Sequence, residues 1–307
     1  MNAGIITKQM LVLFCMMAAG YWAFKKGLMS AEGTRCLSSL IVRIFSPALM
    51  IASVLNKEVT YPAGMVMENV FLVIFFFLFL IILSRLMVKL MRVKPEEEST
   101  YRLMMIFPNL GFMGIPLVSS LYGEEAVIFV SFYIMGYNLL IYSLGILMSR
   151  NPEADKTNIP WKKMCNVGTL GCIAAILIFV FRIRVPQPVE NLVSSLGNTA
   201  VPLSMMTVGV MVAQSDLKTI VTDKKQILFT FIRLLLIPAV CIPILRLLPF
   251  DPVSKGIFLL LMAMPVGSMV LMIEKEYGGK DGRISAQGIA LTSVVSVLTI
   301  PVITFLA

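Results

Sequence analysis

The sequence predicts an all-α integral membrane protein of ten transmembrane helices, two inverted five-helix repeats whose fourth and ninth helices are broken and cross. Three observations carry that prediction. The 307 residues are 58% hydrophobic and only 14% charged, with a mean hydropathy of +0.89, whereas soluble domains carry about 25% charged residues. The apolar residues come in long runs rather than in the short alternating segments of a transmembrane barrel. Corresponding positions of the two halves share proline-interrupted motifs, as expected of inverted repeats.

The runs cover roughly residues 5–24, 33–55, 66–91, 99–121, 124–149, 161–181, 189–214, 225–247, 253–273 and 284–306. The first ends in small residues, but Lys25 and Lys26 follow it instead of preceding it. A secretory signal carries its positive charge first, so this run reads as a retained helix with its N-terminus outside. Alternate loops then divide the 26 basic residues unevenly. Eighteen, from Lys25, Lys26 and Arg35 to Lys275, Lys280 and Arg283, fall on one side. Six (Lys8, Lys57, Arg182, Arg184, Arg246 and Lys255) fall on the other, and Arg43 and Arg233 lie within spans. By the positive-inside rule the richer side is cytoplasmic, which puts both termini outside a multi-pass protein of the cell membrane. The net charge of +9 therefore reads as topology, with the lipid bilayer rather than nucleic acid as partner.

The longest polar connection, 150–160, halves the chain into a repeat of about 1–150 and another of about 161–307, within one transmembrane domain covering 1–307. Five spans per half is an odd number, so the second half enters from the opposite face. The halves echo one another in sequence. The second span carries Ser38-Ser39-Leu40 before Pro47, and the seventh carries Ser194-Ser195-Leu196 before Pro202. The fourth carries Pro108 with Tyr122-Gly123 after it, and the ninth carries Pro265 with Tyr277-Gly278 after it.

Proline removes a backbone donor and clashes with the preceding turn, so helices break near Pro108 and near Pro265-Val266-Gly267. Within hydrocarbon the freed groups must pair inside protein or line a wet cavity. The two broken spans run in opposite directions, so each leaves a half-helix N-terminus near the midplane. Two such ends suit a carboxylate or similar anion. Asn109 adds an amide, Gly111, Gly114 and Gly267 let backbone or ligand approach closely, and Leu110 is a candidate site residue between Asn109 and Gly111. In the fifth span Asn138 and Tyr142 lie four residues apart on one face. Asn138 has two readings, a pocket residue or interhelical glue.

Arg43, near the centre of the second span, also has two: counter-charge to a substrate carboxylate, or partner of helix carbonyls. Arg233 lies nearer the cytoplasmic side and is placed to snorkel. No acid lies clearly mid-membrane, and Glu68 is the better candidate for proton or sodium coupling. The absence of histidine rules out Ser-His-Asp and Cys-His catalysis and histidine-containing zinc sites. Five dispersed cysteines form no C-x-x-C pair, so neither metal nor cofactor is implied, and an enzyme is not the reading.

Pro108-Asn109-Leu110-Gly111-Phe112-Met113-Gly114-Ile115-Pro116-Leu117, with Tyr122-Gly123 following, resembles the fourth-helix signature of the auxin efflux carrier family. The resemblance continues through Ala263-Met264-Pro265-Val266-Gly267, Glu274-Lys275-Glu276-Tyr277, Ser285, Gly288 and Ile300-Pro301. It covers the whole chain, which is compact like bacterial members. At Gly111-Phe112 it departs from the plant pattern. The resemblance implies a carrier of small organic anions, mono- or dicarboxylates such as malate or malonate, working by elevator-like alternating access. It further implies a scaffold and homodimer interface from the first, second, sixth and seventh spans, and a mobile unit from the other six. Pro108, Asn109 and Pro265 would form the crossover, with Val266 and Gly267 beside it. The alternative is a channel, or a carrier of a non-anionic small molecule, on the same fold.

Overall fold

The computed structural model describes residues 3–56, 61–149, 167–214, 222–278 and 281–306. The polar connection 150–160 and the start of the sixth apolar run lie outside the described residues. Among the described residues the fold is all-helical, and the only β pairing is one isolated antiparallel bridge between Pro108 and Val266.

The helices are α1 (Ala3–Lys25), α2 (Ala31–Ala52), α3 (Ala63–Leu90), α4 (Pro95–Ile106), α5 (Leu110–Tyr122) and α6 (Glu124–Ser149). They continue with α7 (Val167–Phe181), α8 (Gln187–Gln214), α9 (Lys224–Leu247), α10 (Pro252–Met262), α11 (Met269–Tyr277) and α12 (Arg283–Leu306). Six of these (α2, α3, α6, α8, α9 and α12) are long and apolar enough to cross a membrane alone. The fourth and ninth runs are each two shorter helices, α4 with α5 and α10 with α11, separated at 107–109 and 263–268.

Local chemistry sets the helix starts. Pro95 opens α4 with Glu96, Glu97 and Glu98 in the first turn, where carboxylates meet the positive end of the helix dipole. Ser30 caps α2 by accepting from Gly33 N at 3.0 Å, and Asp223 caps α9 by accepting from Lys225 N at 2.9 Å. Asp251 caps α10 with Pro252 behind it, accepting from Val253 N at 2.7 Å.

Proline also shapes helix interiors. π turns at Ile41–Phe45, Leu110–Gly114 and Ile232–Leu236 each end two residues before a proline: Pro47, Pro116 and Pro238. The ring pushes the preceding turn open. The next amide then bonds five residues back, Ser46 to Ile41, Ile115 to Leu110 and Ile237 to Ile232.

Packing divides the helices. The backbones of α1 and α8 touch at glycines: a Cβ on Gly20 would overlap the Met206 carbonyl, and one on Gly209 that of Met17. Gly197 on α8 and Gly171 on α7 admit α2 in the same way, at Leu49 and Pro47. Small residues at helix contacts are how membrane helices approach closely. The same hydrophobic core continues through α3, α6 and α10, where Phe76 sits edge-on to Tyr133 (5.4 Å) and Phe258 (5.5 Å). Asn69 on α3 is fully buried there and donates to Ser254 Oγ on α10 at 2.8 Å. On α9, Gln226 reaches the Ile284 carbonyl of α12 at 3.1 Å.

Candidate functional site

The two helix breaks meet. Asn109 N donates to Pro265 O at 2.7 Å, and Gly267 N donates to Phe107 O at 2.9 Å, forming the Pro108–Val266 bridge. Each break thus pairs backbone groups that the other freed, which is what hydrocarbon demands of non-helical chain. Val266 N, a third freed donor, reaches Thr292 Oγ1 on α12 at 3.1 Å. Gly267 fits because it has no side chain: a Cβ there would lie 2.9 Å from Tyr137 Oη, 3.0 Å from Pro108 O and 3.2 Å from Phe107 O.

Two helices start at this crossing and line one cavity of about 90 Å³. The Asn109 side chain caps α5 by accepting from Phe112 N at 3.2 Å. Gly267, Ser268 and Met269 bring the start of α11 to the same cavity. From α6 come Tyr137, Asn138 and Tyr142, and from α2 Ser46 and Met50. Phe107 packs edge-on against Tyr137 at 5.3 Å and holds that ring in the wall. At Gly111 nothing lies within 4 Å of the Cβ position, so the missing side chain is open space. Among the described residues no acidic side chain lines this cavity.

A second cavity, about 230 Å³, adjoins the first through shared Phe112, Ser268 and Met269. It runs between α2, α8 and α11 and is lined by Arg35, Ser38, Ser204, Thr207 and Lys275 among others. Both basic side chains are exposed.

The structure therefore brings Pro108, Asn109, Leu110, Gly111, Asn138, Tyr142 and Gly267 to one cavity. Pro265 and Val266 are fully or nearly fully buried just behind it, in the crossing itself. Arg43 lies on the π turn of α2 as an exposed side chain and lines neither cavity. Glu68 is half-buried on α3 and accepts the Asp251 backbone N–H at 3.0 Å, so it serves the start of α10 rather than either cavity.

Arg233 departs from the snorkelling expected of it. It is fully buried, and Nη1 donates at 2.8 Å to the carbonyl of Met262, the last residue of α10. A cation thus supports the carbonyl end of α10, the favourable end for positive charge. Among the described residues its Nε and Nη2 have no hydrogen-bond partner. Sequence reasoning missed this support, and also Thr292, whose only signal is a hydroxyl in an apolar run.

Comparisons with known proteins set this all-helical chain, with helices apolar enough to cross a membrane, among membrane transporters rather than enzymes. A family model described as "Membrane transport protein" matches residues 5–160 and 156–304. The chain belongs to that family, the auxin efflux carrier family. It is 24% identical over 298 residues to an uncharacterized transporter of Methanocaldococcus jannaschii, covering 94% of this chain and 95% of that one. It is 22% identical to an uncharacterized transporter of Methanothermobacter thermautotrophicus, covering 96% of each. A Rhizobium meliloti protein named "Putative malonate transporter" is 25% identical over 202 residues, 63% of this chain and 62% of that one.

Proposed function

We propose that this chain is a secondary carrier that moves small organic anions, mono- or dicarboxylates, across the cytoplasmic membrane by elevator-like alternating access. The observation that carries the reading is the crossing at Pro108 and Val266, which sets the starts of α5 and α11 at one cavity. Each helix N-terminus carries about half a positive charge and unpaired N–H groups. With no acid in the wall, the Asn109 and Asn138 amides beside those ends favour a carboxylate. The cavity of about 90 Å³ suits a cargo of a few carbons, since drug-sized ligands occupy roughly 300–1,000 Å³. The name of the Rhizobium relative points to the same class.

In this reading ten spans form two inverted repeats, with both termini outside. The glycine-stitched cluster of α1, α2, α7 and α8 is the scaffold, and also the dimer interface where one forms. The remaining helices carry the cavity past it. The second cavity, with Arg35 and Lys275 at its wall, is the approach from the cytoplasm, and Phe112 stands where the two cavities join.

A thermal-shift screen of the purified protein against mono- and dicarboxylates, followed by counterflow in proteoliposomes, tests the reading. Stabilisation by short carboxylates and carrier-rate exchange are expected. Ion conduction at channel rates, or a response confined to neutral or cationic compounds, overturns it.

A further inference from the structure

Glu274 is fully buried on α11, and among the described residues neither of its carboxylate oxygens has a hydrogen-bond partner. An ionised carboxylate taken out of water costs several kcal/mol unless something neutralises it. The end of α6 lies against this turn of α11: a Cβ on Gly278 would be 2.8 Å from both Glu274 O and Ser149 O. Ser149 is itself buried, and its Oγ also lacks a partner.

The elements packed against α11 here are α4, the end of α6 and α12. The charged and titratable groups of α4 are Glu96, Glu97, Glu98, Tyr101 and Arg102, the end of α6 carries Tyr142, α12 starts with Arg283, and α11 itself also carries Lys275, Glu276 and Tyr277. Arg102 lies 3.9 Å from Glu98 and makes no ion pair with Glu274. Lys275 and Arg283 are exposed.

We propose that Glu274, on a turn of α11 against which the Ser149 end of α6 packs, binds a sodium ion that couples to transport. This deepens the carrier reading above and rests on it. Position supports the assignment. The nine-residue α11 starts at the anion cavity with Met269, and Glu274 lies five residues on, about 7.5 Å along the axis. A cation toward the C-terminal end of a helix and an anion at its N-terminus are both favoured by the same dipole. Both would ride on one element, so the pair crosses with less net charge than the anion alone.

The test measures melting of the full-length protein without any anion. Sodium chloride is compared with choline chloride at equal ionic strength and one fixed pH. The wild type should be stabilised by sodium. Glu274→Gln, which removes the charge and keeps the shape, should lose that response. Ser149→Ala should weaken the sodium response about tenfold in affinity or more, as loss of a supporting ligand does. A wild type indifferent to sodium overturns the proposal without recourse to any variant. A Glu274→Gln protein that keeps the wild-type response overturns it equally. Cation responses that vanish in Glu274→Gln while no carboxylate stabilises the wild type would sink the anion reading and leave this site standing.

Discussion

The two breaks that meet at the cavity are built differently. The first, at 107–109, supplies its own cap, because Asn109 accepts from Phe112 N and also lines the cavity. The second, at 263–268, has no side-chain cap at Ser268 and is held from outside. Arg233 supports the Met262 carbonyl from α9, and Thr292 takes Val266 N from α12. The first half of the chain thus contributes more of the polar groups that line the cavity. The second contributes a frame held by its neighbours.

The largest effect should come from removing the fit that lets the breaks cross. Gly267→Val would push a branched side chain against two backbone carbonyls, Pro108 O and Phe107 O, which belong to the other break and cannot swing aside. Overpacking of this kind costs about 1–3 kcal/mol. We expect loss of transport together with a lowered melting temperature in detergent, read by counterflow and thermal shift.

Next come two substitutions that separate the breaks. Asn109→Asp keeps the cap, since Asp caps as well as Asn, but places a carboxylate in the anion cavity. Transport should fall to background while melting stays near wild type; retained carboxylate exchange would show that the cargo does not meet this side chain. Arg233→Met acts on the other break. It leaves the Met262 carbonyl without its charged donor, a bond worth about 1.5–3 kcal/mol. Relief of burying an ion offsets part of that. Melting and transport should decline together, with anion affinity in the remaining folded protein unchanged. A selective loss of anion affinity would instead make Arg233 part of the cargo's electrostatics.

Thr292→Val should cost less, about 1–2 kcal/mol, by orphaning the buried Val266 N–H. Thr292→Ser keeps the hydroxyl and should restore most of the melting temperature. Failure of serine to rescue would place the effect in packing rather than in the second break.

The contrast also explains what was legible in the sequence. Pro108, Asn109, Pro265 and Gly267 announce broken helices because proline and glycine act locally, on their own backbone. Their pairing follows from placing like breaks in opposed halves. The supports were not legible, because they depend on which residues from distant helices come to lie behind the breaks. Arg233, read from its depth alone, snorkels; packed against α10 it has no route to water. Glu274 stands in a charged run, Glu274-Lys275-Glu276, that reads as a solvated loop. The break moves the start of α11 to Met269, so the helix includes the whole run and turns Glu274 inward while Lys275 stays exposed. Glu68 shows the converse: an acid near a span end, it accepts the backbone N–H of Asp251, the cap of α10.

The smallest effect on the fold falls on the first break, at Gly111. It lines the cavity, and the space at its Cβ position is empty to 4 Å. Gly111→Ala should therefore leave melting within about 0.5 kcal/mol of wild type, or raise stability slightly by reducing the freedom of the unfolded chain. The added methyl would instead take its volume from a cavity of about 90 Å³. A longer dicarboxylate should lose affinity more than a shorter one, with maximal exchange rate of the shorter one preserved. Equal losses for both lengths would mean that Gly111 acts by letting α5 move rather than by leaving room for cargo. The first break would then serve as a hinge, and the division of labour between the two breaks would have to be redrawn.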